Sequence, residues 1–169
     1  MNPTTFTIGD DKKSLRVERR FPASRERVWE AYSKPELLAQ WWGPRGWTTE
    51  IKHMEFAVGG YWHYCMRCVD KSQGDFFGME SWGKGTFTEI SAIDSFSYID
   101  EFCNENAKVN SDFPSSHTRV ELTALGDETL LVSTTGYDTP EALSQVLAMG
   151  MQEGFEQTLD GLETLLRGS

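Results

Sequence analysis

The sequence of 169 residues has few cysteines, few histidines and no long apolar run. Three cysteines are an odd number, which does not suit a disulfide framework and favours reduced thiols in a cytoplasmic protein. No stretch approaches the ~20 consecutive apolar residues of a membrane-spanning helix, and the polar first residues do not resemble a secretory signal. We therefore expect a protein without a membrane span, and its length predicts one domain.

Basic side chains are also scarce, since 16 Lys and Arg stand against 26 Asp and Glu and the formal net charge is −10. This deficit argues against a nucleic-acid-binding protein, because such proteins neutralise phosphates with Lys and Arg. Residues 1–53 carry 10 basic and 7 acidic side chains, whereas residues 54–169 carry 6 and 19. We interpret the later acidity as a solvated surface, with a docking face for a basic partner as the alternative.

The cysteines and histidines do not form a recognisable metal site. His63, Cys65 and Cys68 are close in sequence, but their segment has the pattern of a strand, which turns Cys65 and Cys68 to opposite faces. Cys103 and His117 are isolated, so no second pair completes four ligands. Nucleophile elbows and phosphate-binding glycine loops are missing as well. The sequence therefore predicts no metal, no cofactor and no nucleophilic catalytic motif.

Alternating apolar and polar residues predict a strand-rich chain. Residues 1–13 are polar and non-periodic, and we interpret them as a flexible tail before a first strand over Leu15–Phe21. Ser24 is a candidate N-cap of one short helix, and Pro35 begins a second. Further strands are expected over 47–56, 61–69, 82–90, 95–102, 117–125 and 129–137, with loops at 70–79 and 104–116.

The last segment predicts one long helix. Thr139 is its candidate N-cap, and apolar residues recur at three- and four-residue steps as far as Leu166. Gly150, Gly154 and Gly161 interrupt this pattern at a cost of ~1 kcal/mol each relative to alanine, which indicates close packing or space left for a ligand. A mostly antiparallel sheet covered by such a helix gives an α+β domain.

Aromatic residues make up 12% of the chain and include six tryptophans. Aromatic rings fill protein cores and also line small-molecule pockets, so composition does not separate the two roles. On the strand over 61–69, Trp62, Tyr64 and Met66 share one face, which must meet the helix face carrying Met151 and Phe155. This stripe is the best site signal in the sequence, with plain core packing as the alternative.

Three acidic residues are candidates for acid–base chemistry. Asp100 lies between Tyr98 and Phe102 on one face of an alternating strand, although a register shift of one residue would turn it outward. Glu153 and Glu156 lie off the centre of the helix stripe, and we interpret them as solvated or cavity-edge residues.

Several segments resemble a known family. Residues 19–32, the double-tryptophan motif Trp41-Trp42-Gly43-Pro44, the turn at 58–62 and the helix segment 154–162 resemble the START-like (SRPBCC) superfamily. More narrowly, they are similar to the family named after the C-terminal domain of the heat-shock-protein-90 ATPase activator. The resemblance implies one START-like domain over 14–169 with a helix-grip fold. In that fold about seven antiparallel strands curve around a long C-terminal helix, and two short helices follow strand 1.

The resemblance also implies a cavity between sheet and helix, where relatives in the superfamily bind lipids, hormones or polyketides. Twelve residues are expected to line it: Trp41, Trp42, Trp62, Tyr64, Met66, Phe87, Tyr98, Asp100, Phe102, Thr118, Met151 and Phe155. Phe155 stands where family members usually have tryptophan, and the loops at 70–79 and 104–116 depart from the family pattern. The identity of the ligand is therefore not transferred from the relatives.

Three functional hypotheses follow. The first and favoured one is a non-enzymatic protein that binds a hydrophobic or amphipathic, lipid- or polyketide-like molecule, oriented by Tyr64, Asp100 and Thr118. The second is a cyclase- or hydrolase-like enzyme that uses a cavity carboxylate as acid or base. The third, a chaperone-cofactor or stress-response regulatory module, rests on the family name alone. A homodimer contact through Trp41-Trp42 and Phe76-Phe77 is a further expectation.

Overall fold

The computed structural model describes residues 1–168 and contains one antiparallel sheet of eight strands. The strands are β1 (Thr4–Ile8), β2 (Ser14–Phe21), β3 (Trp47–Met54), β4 (Tyr61–Cys68), β5 (Glu80–Ser91), β6 (Ser95–Phe102), β7 (Ser116–Leu125) and β8 (Glu128–Gly136). Their order in the sheet is β1-β2-β8-β7-β6-β5-β4-β3. Among the strands of residues 1–168, only the β2–β8 pair joins segments that are distant in sequence, and the architecture is α+β and helix-grip-like.

Four helices accompany the sheet. They are α1 (Arg25–Ser33), α2 (Pro35–Trp41), α3 (Pro140–Ala148) and α4 (Met151–Arg167), with a 3₁₀ segment at Lys71–Phe76. The predicted caps are confirmed, because Ser24 Oγ accepts a hydrogen bond from the Arg27 N–H at 3.3 Å and Thr139 accepts one from Ala142. Within residues 1–168, no helix is long and apolar enough to cross a membrane.

The N-terminal segment differs from the flexible tail expected over residues 1–13. Thr4–Ile8 forms β1 and pairs with β2, with Phe6 opposite Val17. The Asn2 N–H also donates to Glu163 Oε1 at 3.0 Å. The pattern of five residues was too short to predict a strand, and its order comes from pairing with a distant segment of the chain. This strand raises the count to eight, against about seven expected.

The C-terminal helix is also different from the single helix expected. Gly150 has a φ of +89° and separates α3 from α4. Glycine has no Cβ and adopts this left-handed conformation without strain, so it ends one helix and begins the next. The apolar stripe continues through the break, which is why periodicity alone indicated one helix.

The core is densest where α1 and α2 cover the sheet. Trp29, Phe56, Phe87 and Phe96 meet there edge to face, with ring centroids 4.8 to 5.6 Å apart. Such edge-to-face contacts add to the free energy gained by burying the rings. This end of the sheet is filled by side chains.

Half of the expected dimer surface is buried. Trp41 is 3% exposed, and its indole Nε1 donates to the carbonyl of Ala31 at 2.9 Å. The Trp42 ring packs on Trp62 at 4.7 Å. Phe76 and Phe77 are exposed, as the sequence suggested, so a dimer contact at these two residues stays a prediction.

Candidate functional site

A cavity of about 340 Å³ lies between the inner face of the sheet and the α3–α4 segment, a size typical of small-molecule pockets. The sheet side comes from β4, β5, β6 and the adjoining ends of β7 and β8, and the helical side from Val146 to Thr158. The lining residues are Trp42, Gly43, Pro44, Tyr64, Met66, Ser81, Trp82, Gly83, Asp100, Glu101, Phe102, Pro114, Ser116, Tyr137, Val146, Met149, Gly150, Met151, Gly154, Phe155 and Thr158.

The structure divides the twelve expected site residues into two groups. Seven lie in the cavity wall: Trp42, Tyr64, Met66, Asp100, Phe102, Met151 and Phe155. The other five do not line it and are buried in the core: Trp41, Trp62, Phe87, Tyr98 and Thr118. Strand alternation predicts one shared face for the strand residues of both groups. Alternation does not reveal which of these side chains pack against α1 and α2 and which line the cavity under α3 and α4.

Two glycines on β5 determine how the rings of β4 lie. A Cβ at Gly83 would be 2.3 Å from Cζ and Oη of Tyr64, so the phenol ring crosses β5 at this point. A Cβ at Gly85 would be 2.9 Å from the Trp62 ring. The spacing of Gly83 and Gly85 does not fit a phosphate-binding loop. The role of this pair is to make room for the Tyr64 and Trp62 rings on the sheet.

Trp42, Tyr64 and Asp100 interact in the wall, because Trp42 influences the pKa of Tyr64 and Tyr64 that of Asp100. Burial raises the pKa of Asp100 from 3.8 to about 7, against the opposing effect of the Tyr64 hydrogen bond. Burial, together with the Asp100 charge, raises the pKa of Tyr64 well above 10, so the phenol stays protonated. Asp100 is therefore an acid of the cavity wall whose pKa lies near neutrality.

Charge in the cavity wall is sparse and negative. Of the lining residues, only Asp100 and Glu101 are ionisable acids, and none is Lys, Arg or His among residues 1–168. Successive residues of a strand face opposite sides, so Glu101 turns to the outer face, where it is paired across the sheet with Lys84. Asp100 faces inward and forms no salt bridge in the described chain.

Several wall residues were not anticipated. Tyr137 follows β8, and burial together with the Asp100 charge raises its pKa to about 12, while a hydrogen bond with Ser116 lowers it. Strand alternation through Ser133 and Thr135 could have indicated that Tyr137 faces inward. Met149 and Gly150 enter the wall through the helix break, at the position of the first of the three glycines that interrupt the helical pattern.

Metal binding finds no support in the side-chain geometry. Among the residues from 1 to 168, no group of three or more His, Cys, Asp or Glu is placed to hold a metal ion. Cys65 and Cys68 are buried free thiols, and Cys103 is a partly buried one.

Two further depressions, of about 440 and 600 Å³, lie outside the sheet–helix cavity. The first is bordered by Arg45, Gln157 and Asp160, and the second by Arg27 and Glu30. Neither contains a cluster of inward aromatic rings around a buried titratable group, so the sheet–helix cavity is the candidate site.

Fold and cavity agree with a family match over most of the chain. Residues 22–167 match the family described as "Activator of Hsp90 ATPase homolog 1-like protein". The chain belongs to this family. No curated protein matches the sequence at a significant level.

Solved structures with the same fold come from several bacteria. The crystal structure of protein Ms6760 from Mycobacterium smegmatis is 28% identical, with a TM-score of 0.85 over 97% of both chains. A solution structure from Arthrobacter aurescens is 26% identical, with a TM-score of 0.87 over 98% of this chain and 92% of that one. A solution structure from Staphylococcus epidermidis is 25% identical, with a TM-score of 0.81 over 96% of this chain and 94% of that one. The START-like family fold suggests a ligand-binding or cofactor-like module.

Proposed function

We propose that this protein binds a hydrophobic or amphipathic small molecule, lipid- or polyketide-like, in the sheet–helix cavity without catalysing a reaction. The cavity carries the proposal, because about 340 Å³ remains between a well-packed core and a helix whose glycines add no side chain to fill it.

The wall suits a ligand that is mostly apolar. Met66, Phe102, Val146, Met151 and Phe155 offer apolar surface from both the sheet and the helices. Burial of such surface contributes ~25 cal/mol per Å², which must exceed the entropy lost on association. The Tyr64 and Asp100 pair then orients one polar group of the ligand.

A cavity-filling variant tests this proposal. Gly154 lines the cavity, and a Cβ there would meet only Pro44 Cβ, at 3.9 Å. We expect Gly154→Leu to weaken binding of the neutral fluorescent probe 1-N-phenylnaphthylamine at least about ten-fold, because the added side chain occupies the site. Gln152→Leu adds the same side chain at an exposed position of α4 and should leave the affinity unchanged.

Fluorescence titration measures both affinities, and thermal melting confirms that both variants fold. A wild-type protein that does not bind the probe, or a folded Gly154→Leu variant that binds it as tightly as the wild type, would contradict the proposal.

The pKa of Asp100 favours a second candidate, an enzyme with a cavity acid or base. A carboxyl group with a pKa of about 7 is present in both protonation states near neutral pH, as general acid–base catalysis requires. If this candidate is correct, hydrolysis of 4-nitrophenyl butyrate will show a pH–rate inflection near 7 that disappears in Asp100→Asn. Hydrolysis that is absent, or equal in the two proteins, would reject a hydrolase of this kind.

A further inference from the structure

Asp100 is half-buried and has no cationic partner in the described chain, whereas the fully buried Glu163 has two. Glu163, which is fully buried, receives Arg19 Nη2 at 2.9 Å and Arg167 Nε at 2.8 Å. In the described part of the cavity wall, no basic side chain plays that role for Asp100. A carboxylate in a half-enclosed apolar wall loses part of its hydration without gaining a counter-ion, so a cation from a ligand would stabilise its charged form.

Aromatic side chains form much of the wall of the cavity that Asp100 also lines. Tyr64 and Phe102 contribute rings from the sheet, Phe155 one from α4, Trp42 one from the segment after α2, and Tyr137 one from the end of β8. Trp42 and Tyr64 meet edge to face with centroids 6.0 Å apart. The faces of such rings attract organic cations, and this attraction increases when the cation is removed from water.

We propose that the cavity selects a cationic amphiphile, an apolar molecule that carries an ammonium group, and that the ammonium sits beside the Asp100 carboxylate against the aromatic rings. This inference rests on the proposed function of the cavity and specifies its ligand class. An uncharged amphiphile would satisfy the apolar wall equally well but would leave the carboxylate unpaired. An anionic one would be repelled.

Asp100 is the group whose ionisation would control binding. Tyr64 from β4, Tyr98 from β6 and Tyr137 after β8 face it, and all three have pKa values raised by burial, so they remain neutral. Glu101 and Cys103 are its other charged or titratable neighbours on β6 and beyond. The residues that α3 and α4 contribute to the wall carry no titratable group.

The pH dependence separates this ligand class from a neutral acceptor. Since the pKa of Asp100 is about 7, its ionised fraction rises about ten-fold between pH 6 and pH 8. Affinity for a permanent cation therefore rises with pH. Affinity for a neutral molecule that accepts a hydrogen bond from the protonated carboxyl falls over the same range.

Three probes with the same tail test the inference: octyltrimethylammonium, 1-octanol and octanesulfonate, each below its micelle concentration, displacing 1-N-phenylnaphthylamine. At pH 8 we expect the cation to bind at least about ten-fold more tightly than octanol and the sulfonate most weakly. Its affinity should fall about ten-fold at pH 6. Asp100→Asn should abolish both the preference and the pH dependence.

Asp127→Asn is the matched control. Asp127 is exposed in the turn between β7 and β8, at the opposite end of these strands from Ser116 and Tyr137. The Asp127→Asn variant loses the same charge as Asp100→Asn, but it should prefer the cation over octanol as strongly as the wild-type protein does. A general attraction of cations to an acidic protein would instead weaken equally in both variants.

Other results would overturn the inference. If octanol binds as tightly as the cation, if the preference survives in Asp100→Asn, or if no octyl compound displaces the bound probe, the ligand class is wrong and the proposed function stands. If the probe itself does not bind, the proposed function fails as well.

Discussion

Glu163 lies near the C-terminal end of α4, Asp100 lines the cavity that the N-terminal end of α4 covers, and their pKa values are shifted in opposite directions. At the C-terminal end, burial would raise the pKa of Glu163, but hydrogen bonds from Arg19, Asn2 and Arg167 outweigh burial and lower it from 4.5 to about 2. At the N-terminal end the helix covers the cavity with Asp100, where burial prevails and raises the pKa from 3.8 to about 7. The pKa values differ in direction because Glu163 has two cationic hydrogen-bond donors and Asp100 has none.

Glu163 and Asp100 therefore have different effects on the stability of the fold. The Glu163 cluster joins β2, α4 and the N-terminal segment, because Arg19 Nη1 also binds Asp160 at 2.8 Å and the Asn2 N–H donates to Glu163. It contributes to stability. Asp100 reduces stability in its ionised form, and a residue kept at such a cost is typical of a functional site.

The largest expected effect on stability comes from disrupting the Glu163 cluster. Glu163→Gln leaves the Arg19 guanidinium, whose side chain is 0% exposed, with Asp160 as its remaining acidic partner. We expect a loss of about 3 kcal/mol in the free energy of unfolding at pH 7, measured by urea denaturation. Because the folded pKa of Glu163 is depressed, the effect is complete above pH 4.5 and disappears as the pH falls towards 2.

Arg119→Gln provides the control, since its pair with Glu89 at 3.1 Å lies on the surface and contributes less than about 1 kcal/mol. A loss for Glu163→Gln no larger than that of the control would mean that the cluster does not stabilise the fold.

The next largest effect concerns Asp100, whose substitution should raise the free energy of unfolding rather than lower it. The folded protein binds the Asp100 proton more tightly than the unfolded chain does, so stability falls as the pH rises from 3.8 through about 7. Asp100→Asn removes the buried charge and keeps an acceptor for Tyr64. We expect it to raise the free energy of unfolding by about 2 kcal/mol more at pH 8 than at pH 5, because folded Asp100 ionises between these two pH values.

Urea denaturation at both pH values, beside Asp127→Asn, measures this change. Equal effects of the two substitutions at pH 8 would show that Asp100 is not strained by burial.

Local sequence patterns predicted much of this arrangement. The caps at Ser24 and Thr139 are confirmed, and alternation gave the inward face on which Tyr64 and Asp100 meet. These features depend on residues within a few positions of each other, where periodicity and capping act directly. Family resemblance supplied the helix-grip arrangement as a whole.

What the sequence did not predict depends on contacts between distant segments. β1 exists because it pairs with β2, and the separation between packed rings such as Trp62 and lining rings such as Phe155 depends on which helix covers them. The role of Gly83 is visible only once β4 and β5 are side by side. The Glu163 cluster was missed because its partners, Arg19 and Asn2, are more than 140 residues away.

The smallest expected effect compares two glycines of α4, one near each carboxyl group. Alanine is more favourable than glycine inside a helix by roughly 0.5–1 kcal/mol. A Cβ at Gly154 would be 3.9 Å from Pro44 Cβ, so Gly154→Ala should gain most of that amount. A Cβ at Gly161 would lie 3.2 Å from the Trp41 carbonyl oxygen, closer than normal packing allows, so Gly161→Ala should gain nothing or lose stability.

Affinity for the probe should also differ between the two variants, and here Gly154→Ala should be the weaker one. Gly154→Ala adds a methyl group to the cavity wall and should weaken binding of 1-N-phenylnaphthylamine, whereas Gly161 does not line the cavity and its substitution should leave the affinity unchanged. Urea denaturation and fluorescence titration of both variants provide the comparison. A Gly154→Ala variant with higher stability and weaker binding would show that space at the Asp100 end of α4 is kept for a ligand at the expense of helix stability. Equal stabilisation by both substitutions would instead mean that the two ends of the helix are packed alike.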